Sequence, residues 1–225
     1  MQSLIDHLIA IMVSGVVITA LMSNQFRSQH SMIEQTASHS VKAKTLVFGK
    51  WVEHDILNLG ANFGRNYYRF TEPTVDADGN TVAWQFYSDS VRTNGTKLRL
   101  YTRYRLVPTE VVAFQDTTMQ MYIVNRDTTA VDHVGALPGP APPESAWVQG
   151  LWSIGTLSFF RIELLDRWGE TPLLTSGATN LEDVDYIRVR FGVVPEYVLK
   201  PDNYIRELYW SRTLKVRPYW QPPPA

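Results

Sequence analysis

From Leu4 to Met22 the chain reads LIDHLIAIMVSGVVITALM, with Asp6 and His7 its only ionisable groups, so residues 8–22 form an unbroken apolar run. A bilayer-spanning helix needs about 20 apolar residues, and the nineteen from Leu4 suffice if Asp6 sits at the membrane edge. A cleaved secretory signal has an apolar core of similar length, but no Lys or Arg precedes this one and no small-x-small site follows it. A buried core helix is the third reading of the same run. No Pro occurs before Pro73, and Gly49 is the first Gly after Gly15, so the helix is expected to continue. Ala37, Val41, Phe48, Val52, Ile56 and Leu59 then recur at helical steps and make one apolar stripe that needs a partner surface. Gly60 offers the stop. A helix over residues 4–59 would be roughly 80 Å long, so its first half is expected to protrude from the domain.

Beyond Gly64 the period changes to two. AWQFYSDS, RTNGT and KLRLYTRYRLV read as strand, turn and strand, with Asn94-Gly95 predicted to supply the positive-φ pair and Leu98, Leu100, Tyr104 and Leu106 marking the second strand. Residues 111–127 predict one or two further strands, residues 152–170 a strand ending in a turn at Gly169, and residues 183–198 another. Residues 203–220 are expected to close the sheet. Between them, residues 134–145 carry four Pro and two Gly and are predicted to be a surface loop, and QPPPA at 221–225 an extended tail. The expected fold is α+β, divided into a membrane or filament-core half-helix (1–28), an amphipathic half-helix (29–60) and an antiparallel β-rich head (61–225).

Composition changes this picture mainly by exclusion. The 225 residues hold seven Trp and eleven Tyr, enough for a sizeable core, and a net charge of −1 gives no footprint for nucleic acid. With no Cys, disulfides, thiolate metal sites and cysteine nucleophiles are excluded. The five His fall in no metal-binding spacing, and Glu53, His54 and Asp55 fan over about 200° of a helix and so cannot converge on one ion. No nucleophile elbow or phosphate-binding glycine run occurs. Glu182 and Asp183 read as a solvated loop. Trp84, Phe86, Tyr87, Tyr101, Tyr104, Trp210, Tyr219 and Trp220, interleaved with Arg99, Arg103 and Arg105, could form a ligand platform, although aromatics are favoured in any strand. No enzymatic activity and no cofactor or metal are expected. Asp6 is the distinctive residue, because a carboxylate in or beside so apolar a segment is costly without a cation; the plainer reading places Asp6 and His7 among lipid headgroups.

This order of parts, an apolar stretch with one acid near position five and a long amphipathic helix leading into a β-sheet head, resembles the type IV pilin superfamily. LVFGKWVEHDILNLGANFGR is similar to the helix end of PilW-like minor pilins and J-type pseudopilins, whose E-R-D-I-R-x-A-G pattern is answered by Glu53, His54, Asp55, Ile56, Asn58 and Gly60. AWQFYSDSVRTNGTKLRLYTRYRLV is similar to the family's first hairpin and DVDYIRVRFGVV to its late strand. The family has Glu fifth in the mature chain, after a basic leader; here Asp stands in its place, fifth if the mature chain begins at Gln2. The resemblance implies a structural filament subunit, held in the inner membrane before assembly and found in an extracellular filament or periplasmic pseudopilus afterwards. Its partners would be identical or homologous subunits, contacted through Asp6, Leu8, Ile11, Val16 and Ile18. Asp6 would pair with a neighbour's N-terminal amine. The alternative is a membrane-tethered periplasmic or surface enzyme or carbohydrate-binding domain.

Overall fold

The computed structural model describes residues 2–59, 70–91, 95, 97–114, 117–132, 142–150, 155–173, 179–194 and 207–216. The expected stop at Gly60, Asn94 of the first hairpin, most of the Pro-rich loop, Tyr219, Trp220 and the 221–225 tail lie outside them. The chain divides into two compact units, Met1–Ser40 and Val41–Ala225.

Helix α1 runs Gln2–Leu57 without interruption, as the absence of Pro and the spacing of apolar residues require. The hydroxyls of Thr19, Thr36 and Thr45 donate to the carbonyls of Gly15, Met32 and Val41, one turn earlier, which satisfies polar groups that would otherwise compete with the helix. Within the second unit, the predicted stripe is the buried face: Val41, Phe48, Val52, Ile56 and Leu59 are all core residues, joined by Thr45 and Asp55.

Eight antiparallel strands form one sheet: β1 (Thr74–Val75), β2 (Thr81–Val91), β3 (Lys97–Phe114), β4 (Thr117–Asp132), β5 (Val148–Gly150), β6 (Thr156–Leu165), β7 (Tyr186–Val194) and β8 (Leu208–Lys215). The order is β1-β2-β3-β4-β6-β7-β8, with β5 also paired to β4. The chain is α+β, as expected. The 111–127 stretch divides between the end of β3 and the start of β4. β2 and β3 form the expected hairpin, Val91 opposite Lys97, with Gly95 at φ +81°, and Gly169 sits at φ +85° in the expected turn after β6. β1, β5 and the short helical turn Glu144–Ala146 carry too few residues to show a period, and the sequence reading missed them.

Period-two burial gives the sheet two distinct faces. One collects Trp84, Phe86, Tyr104, Leu106, Val124, Phe160, Ile162, Ile187, Val189 and Phe191 against the helix stripe. Phe48 enters this layer edge-on to Phe191 (4.8 Å between ring centroids), and Phe191 stacks on Trp210 (4.9 Å, 21°). The next helix residue has to be Gly49, because a Cβ there would stand 2.6 Å from the Trp210 indole.

Asp55 sits on the buried face, 6% exposed. The Tyr104 hydroxyl donates to its Oδ2 (2.5 Å), and Arg126 clamps both carboxylate oxygens (Nε–Oδ2 2.6 Å, Nη2–Oδ1 2.9 Å). Burial, reinforced by the Asp55 charge, pushes the Tyr104 hydroxyl well above its ordinary value, so it remains a donor. One helix side chain is thereby tied to β3 and β4 at once. At the helix flank, Glu53 accepts from Arg212 of β8 (2.7 Å).

Two outcomes follow from this packing. Asp55→Ala should cost about 3–5 kcal/mol, because Arg126 and Tyr104 lose a shared buried partner, whereas Asp55→Leu combined with Arg126→Met should recover much of that loss in urea denaturation. Gly49→Ala should lower stability by about 1–3 kcal/mol through overpacking against Trp210, although Ala exceeds Gly in helix propensity by about 1 kcal/mol. A thermal melt showing Gly49→Ala to be stabilised would mean that the helix does not approach β8 this closely.

Candidate functional site

The residues assigned to assembly all lie on the first helical unit, where every described side chain from Ser3 to Thr36 is exposed. Leu8, Ile11 and Ile18, spaced three and seven apart, share one side of the helix; Asp6 lies on another with Ile9, Val13 and Val17, and Val16 lies between. The exposed apolar residues therefore surround the helix instead of forming one stripe: Leu4, Ile5, Leu8, Ile9, Ile11, Met12, Val13, Val16, Val17, Ile18, Leu21 and Met22 are each at least half exposed. A helix apolar on all sides needs an apolar medium or several partners, because docking on one flat surface leaves most of it in water. By length and composition it can cross a membrane: mean hydropathy reaches 2.2 over eighteen residues, none of that window being buried.

From Leu8 to Phe26 the helix carries no Asp, Glu, Lys, Arg or His. Asp6, which precedes this run, has no ion-pair or hydrogen-bond partner among the described residues. The structure thus places all five assembly residues on one exposed element without converging them on a point.

Other candidates resolve into packing. Glu53, His54 and Asp55 do not converge: Glu53 reaches Arg212, His54 lies beside the exposed Asn58 amide with Nδ1 3.9 Å from Asp55 Oδ1, and Asp55 enters the core. Among the described residues no group of three His, Asp or Glu could hold a metal ion. Asp183 is exposed and accepts from the Asn180 amide (2.7 Å). The aromatic platform does not form from the residues that suggested it: Trp84, Phe86 and Tyr104 lie in the core beneath the helix, and Trp210 packs on Phe191.

Tyr87 and Tyr101 point to the opposite face of the sheet, edge to face at 5.0 Å, and Trp147 buries them. Burial, then the neighbouring Tyr101, pushes the Tyr87 hydroxyl up to about 12. On this face Asp127 is fully buried and takes Nε of Arg105 (2.7 Å) and Nη2 of Arg103 (3.0 Å). Arg103 also lies over the Trp147 ring (4.3 Å) and holds the exposed Glu144 carboxylate through both terminal nitrogens (2.5 and 3.0 Å). Hydrogen bonding to Arg103 keeps the Glu144 carboxyl below its usual range. Arg99 pairs with Asp89 (3.1 Å), both nearly buried. Sequence reading offered Arg99, Arg103 and Arg105 as part of a ligand platform and did not pair them with carboxylates. Their signal lay in the register, since Asp89 faces Arg99 and Asp127 faces Arg103 across paired strands, and that register is invisible without the fold.

Comparison with known protein families, with curated proteins and with solved structures yields no match, so the pilin-like features, a long apolar N-terminal helix and an antiparallel sheet packed on its later turns, stand on this chain's own residues.

Proposed function

We propose that this chain is a structural subunit of a type IV pilus-like filament, held in the inner membrane by its apolar helix and assembled through that helix into an extracellular or periplasmic filament. The observation that carries the reading is the contrast along one helix: apolar on all sides and exposed from residue 4 to residue 22, then one-sided and buried against a sheet from residue 41 to residue 59. A tether has to be apolar only where it meets lipid. A helix that leaves lipid and packs among copies of itself exchanges lipid contact for protein contact, and each Å² packed in this way avoids the cost of about 25 cal/mol that exposure to water outside the bilayer would carry. Identical or homologous subunits are the partners, and no catalytic chemistry is assigned to the chain.

Asp6 enters this reading as the acid that neutralises an N-terminal amine inside the assembled core. An ammonium in a low-dielectric core without a counter-ion costs several kcal/mol, so assembly selects the arrangement in which the two meet.

Two measurements test the assignment. A fragment of residues 29–225 should be a soluble monomer by sedimentation, since residues 1–28 hold the only stretch of bilayer-crossing length among the described residues; a fragment that still needs detergent contradicts the anchor. Asp6→Asn should leave the membrane-bound pool intact while sheared filaments are lost, and Asp6→Glu should retain much of the assembly. Normal filaments from Asp6→Asn would refute charge pairing. No filament from the unaltered chain would transfer the assignment to the tethered domain.

A further inference from the structure

On the solvent face of β6, β7 and β8, Arg161 stands directly opposite Arg190, and Arg188 opposite Glu163. Like charges facing each other across a strand pair are destabilising, so stability alone does not account for Arg161 and Arg190 at these positions. Among the described residues Glu163 is the carboxylate that pairs with Arg188 and Arg190: Arg188 Nη1 lies 3.2 Å from Oε2, and Arg190 Nη2 bonds Oε1. Arg188 is further steadied by Thr213 of β8 (3.4 Å). Arg161 has no carboxylate partner among the described residues; it donates to the Asp78 carbonyl (2.8 Å) and lies over the Phe159 ring (5.7 Å). Nε of Arg161 and Nε of Arg190 are both buried without a hydrogen-bond partner. Three guanidinium groups and one carboxylate give this cluster an excess of two positive charges, and the exposed Glu207 carboxylate lies beyond it, against Gly192 and bonded to the Ser158 hydroxyl. The groups are accessible, with Arg188 36%, Arg190 30% and Glu163 27% exposed, and exposed Lys215 and Tyr209 lie on the neighbouring strand.

Elsewhere the molecule shows how such a cluster is completed. Arg103 and Arg105, also two residues apart on one strand, flank Asp127 on the next strand, and the positive charge left over is met by the carboxylate of Glu144 in a two-pronged grip on Arg103. Arg188 and Arg190 flank Glu163 in the same way, and among the described residues no second carboxylate reaches them. The geometry points to Arg161, Arg188 and Arg190 as a docking site for an acidic segment of another protein chain, whose carboxylates complete this cluster as Glu144 completes the first. Planar guanidinium groups fixed by neighbours favour a carboxylate, and the rigid strands present them at set spacing. The site is independent of the helix, so it belongs equally to a filament subunit or a tethered domain.

The test uses the full chain in neutral detergent micelles at low salt, titrated calorimetrically with poly-L-glutamate, heparin and single-stranded DNA. The unaltered chain should bind poly-L-glutamate, and Arg188→Gln combined with Arg190→Gln should weaken that binding by about tenfold or more. Glu163→Gln decides the matter should the double variant fold poorly: removing the internal carboxylate raises the local charge to +3 and should tighten binding, whereas a structural role for this cluster predicts loss. Raising the salt should weaken binding in every case. Absence of poly-L-glutamate binding, binding of heparin or DNA in its place, or weaker binding by Glu163→Gln would each overturn the assignment.

Discussion

A carboxylate can occupy the buried face of a helix only when its charge is answered from the surface it packs against. Asp55 meets this condition through the Tyr104 hydroxyl on β3 and the Arg126 guanidinium on β4. The requirement is directional, since moving the helix by one turn or rotating it by one residue would strand three polar groups in the core. Other contacts inherit this alignment. Two turns earlier Phe48 falls between Phe160 and Phe191, Gly49 falls where Trp210 leaves no room for a side chain, and Glu53 reaches Arg212.

The same logic of answered charge organises the far side of the sheet. Strand alternation sends most of the aromatic and aliphatic residues of β2, β3, β6 and β7 toward the helix and sends Arg, Asp and Glu away from it, together with Tyr87 and Tyr101. Some of those charges become buried pairs, as Arg99 with Asp89 and Arg103 with Asp127, and Trp147 covers the part of the face that holds Tyr87, Tyr101 and Arg103. Across β6 and β7 the arginines outnumber the carboxylates and remain accessible. Thus one sheet carries a dry face that holds the helix, a covered polar patch that is internally neutralised, and an open basic patch that is not.

The first helical unit obeys a different constraint. Its backbone hydrogen bonds are satisfied internally, which makes an isolated helix admissible in lipid. Its side chains, however, present apolar surface in every direction, and no contact within the unit removes that surface from water. Membrane residence and lateral packing both meet the need, and in the filament reading proposed above the helix uses them in succession.

Much of this was legible in the residues themselves. Uninterrupted helix from the N-terminus, the buried stripe from Val41 to Leu59, the hairpin around Trp84 and Tyr104 and the strands around Phe160 and Val189 follow from period and from the positions of Pro and Gly, because burial of one face imposes those spacings locally. Asp6 stood out for the same local reason, as a charge at the border of an apolar run. What the sequence could not determine was which distant groups meet. Asp55 looked like one member of a helical E-H-D triplet until the fold brought Tyr104 and Arg126, forty-nine and seventy-one residues away, onto its oxygens. Arg103, Arg161, Arg188 and Arg190 carry the same charge and similar strand spacing, yet one is locked between Asp127 and Glu144 while the others form an open basic cluster. Strand order and register decide that difference, since they arise from packing the whole sheet and no short window of residues contains them.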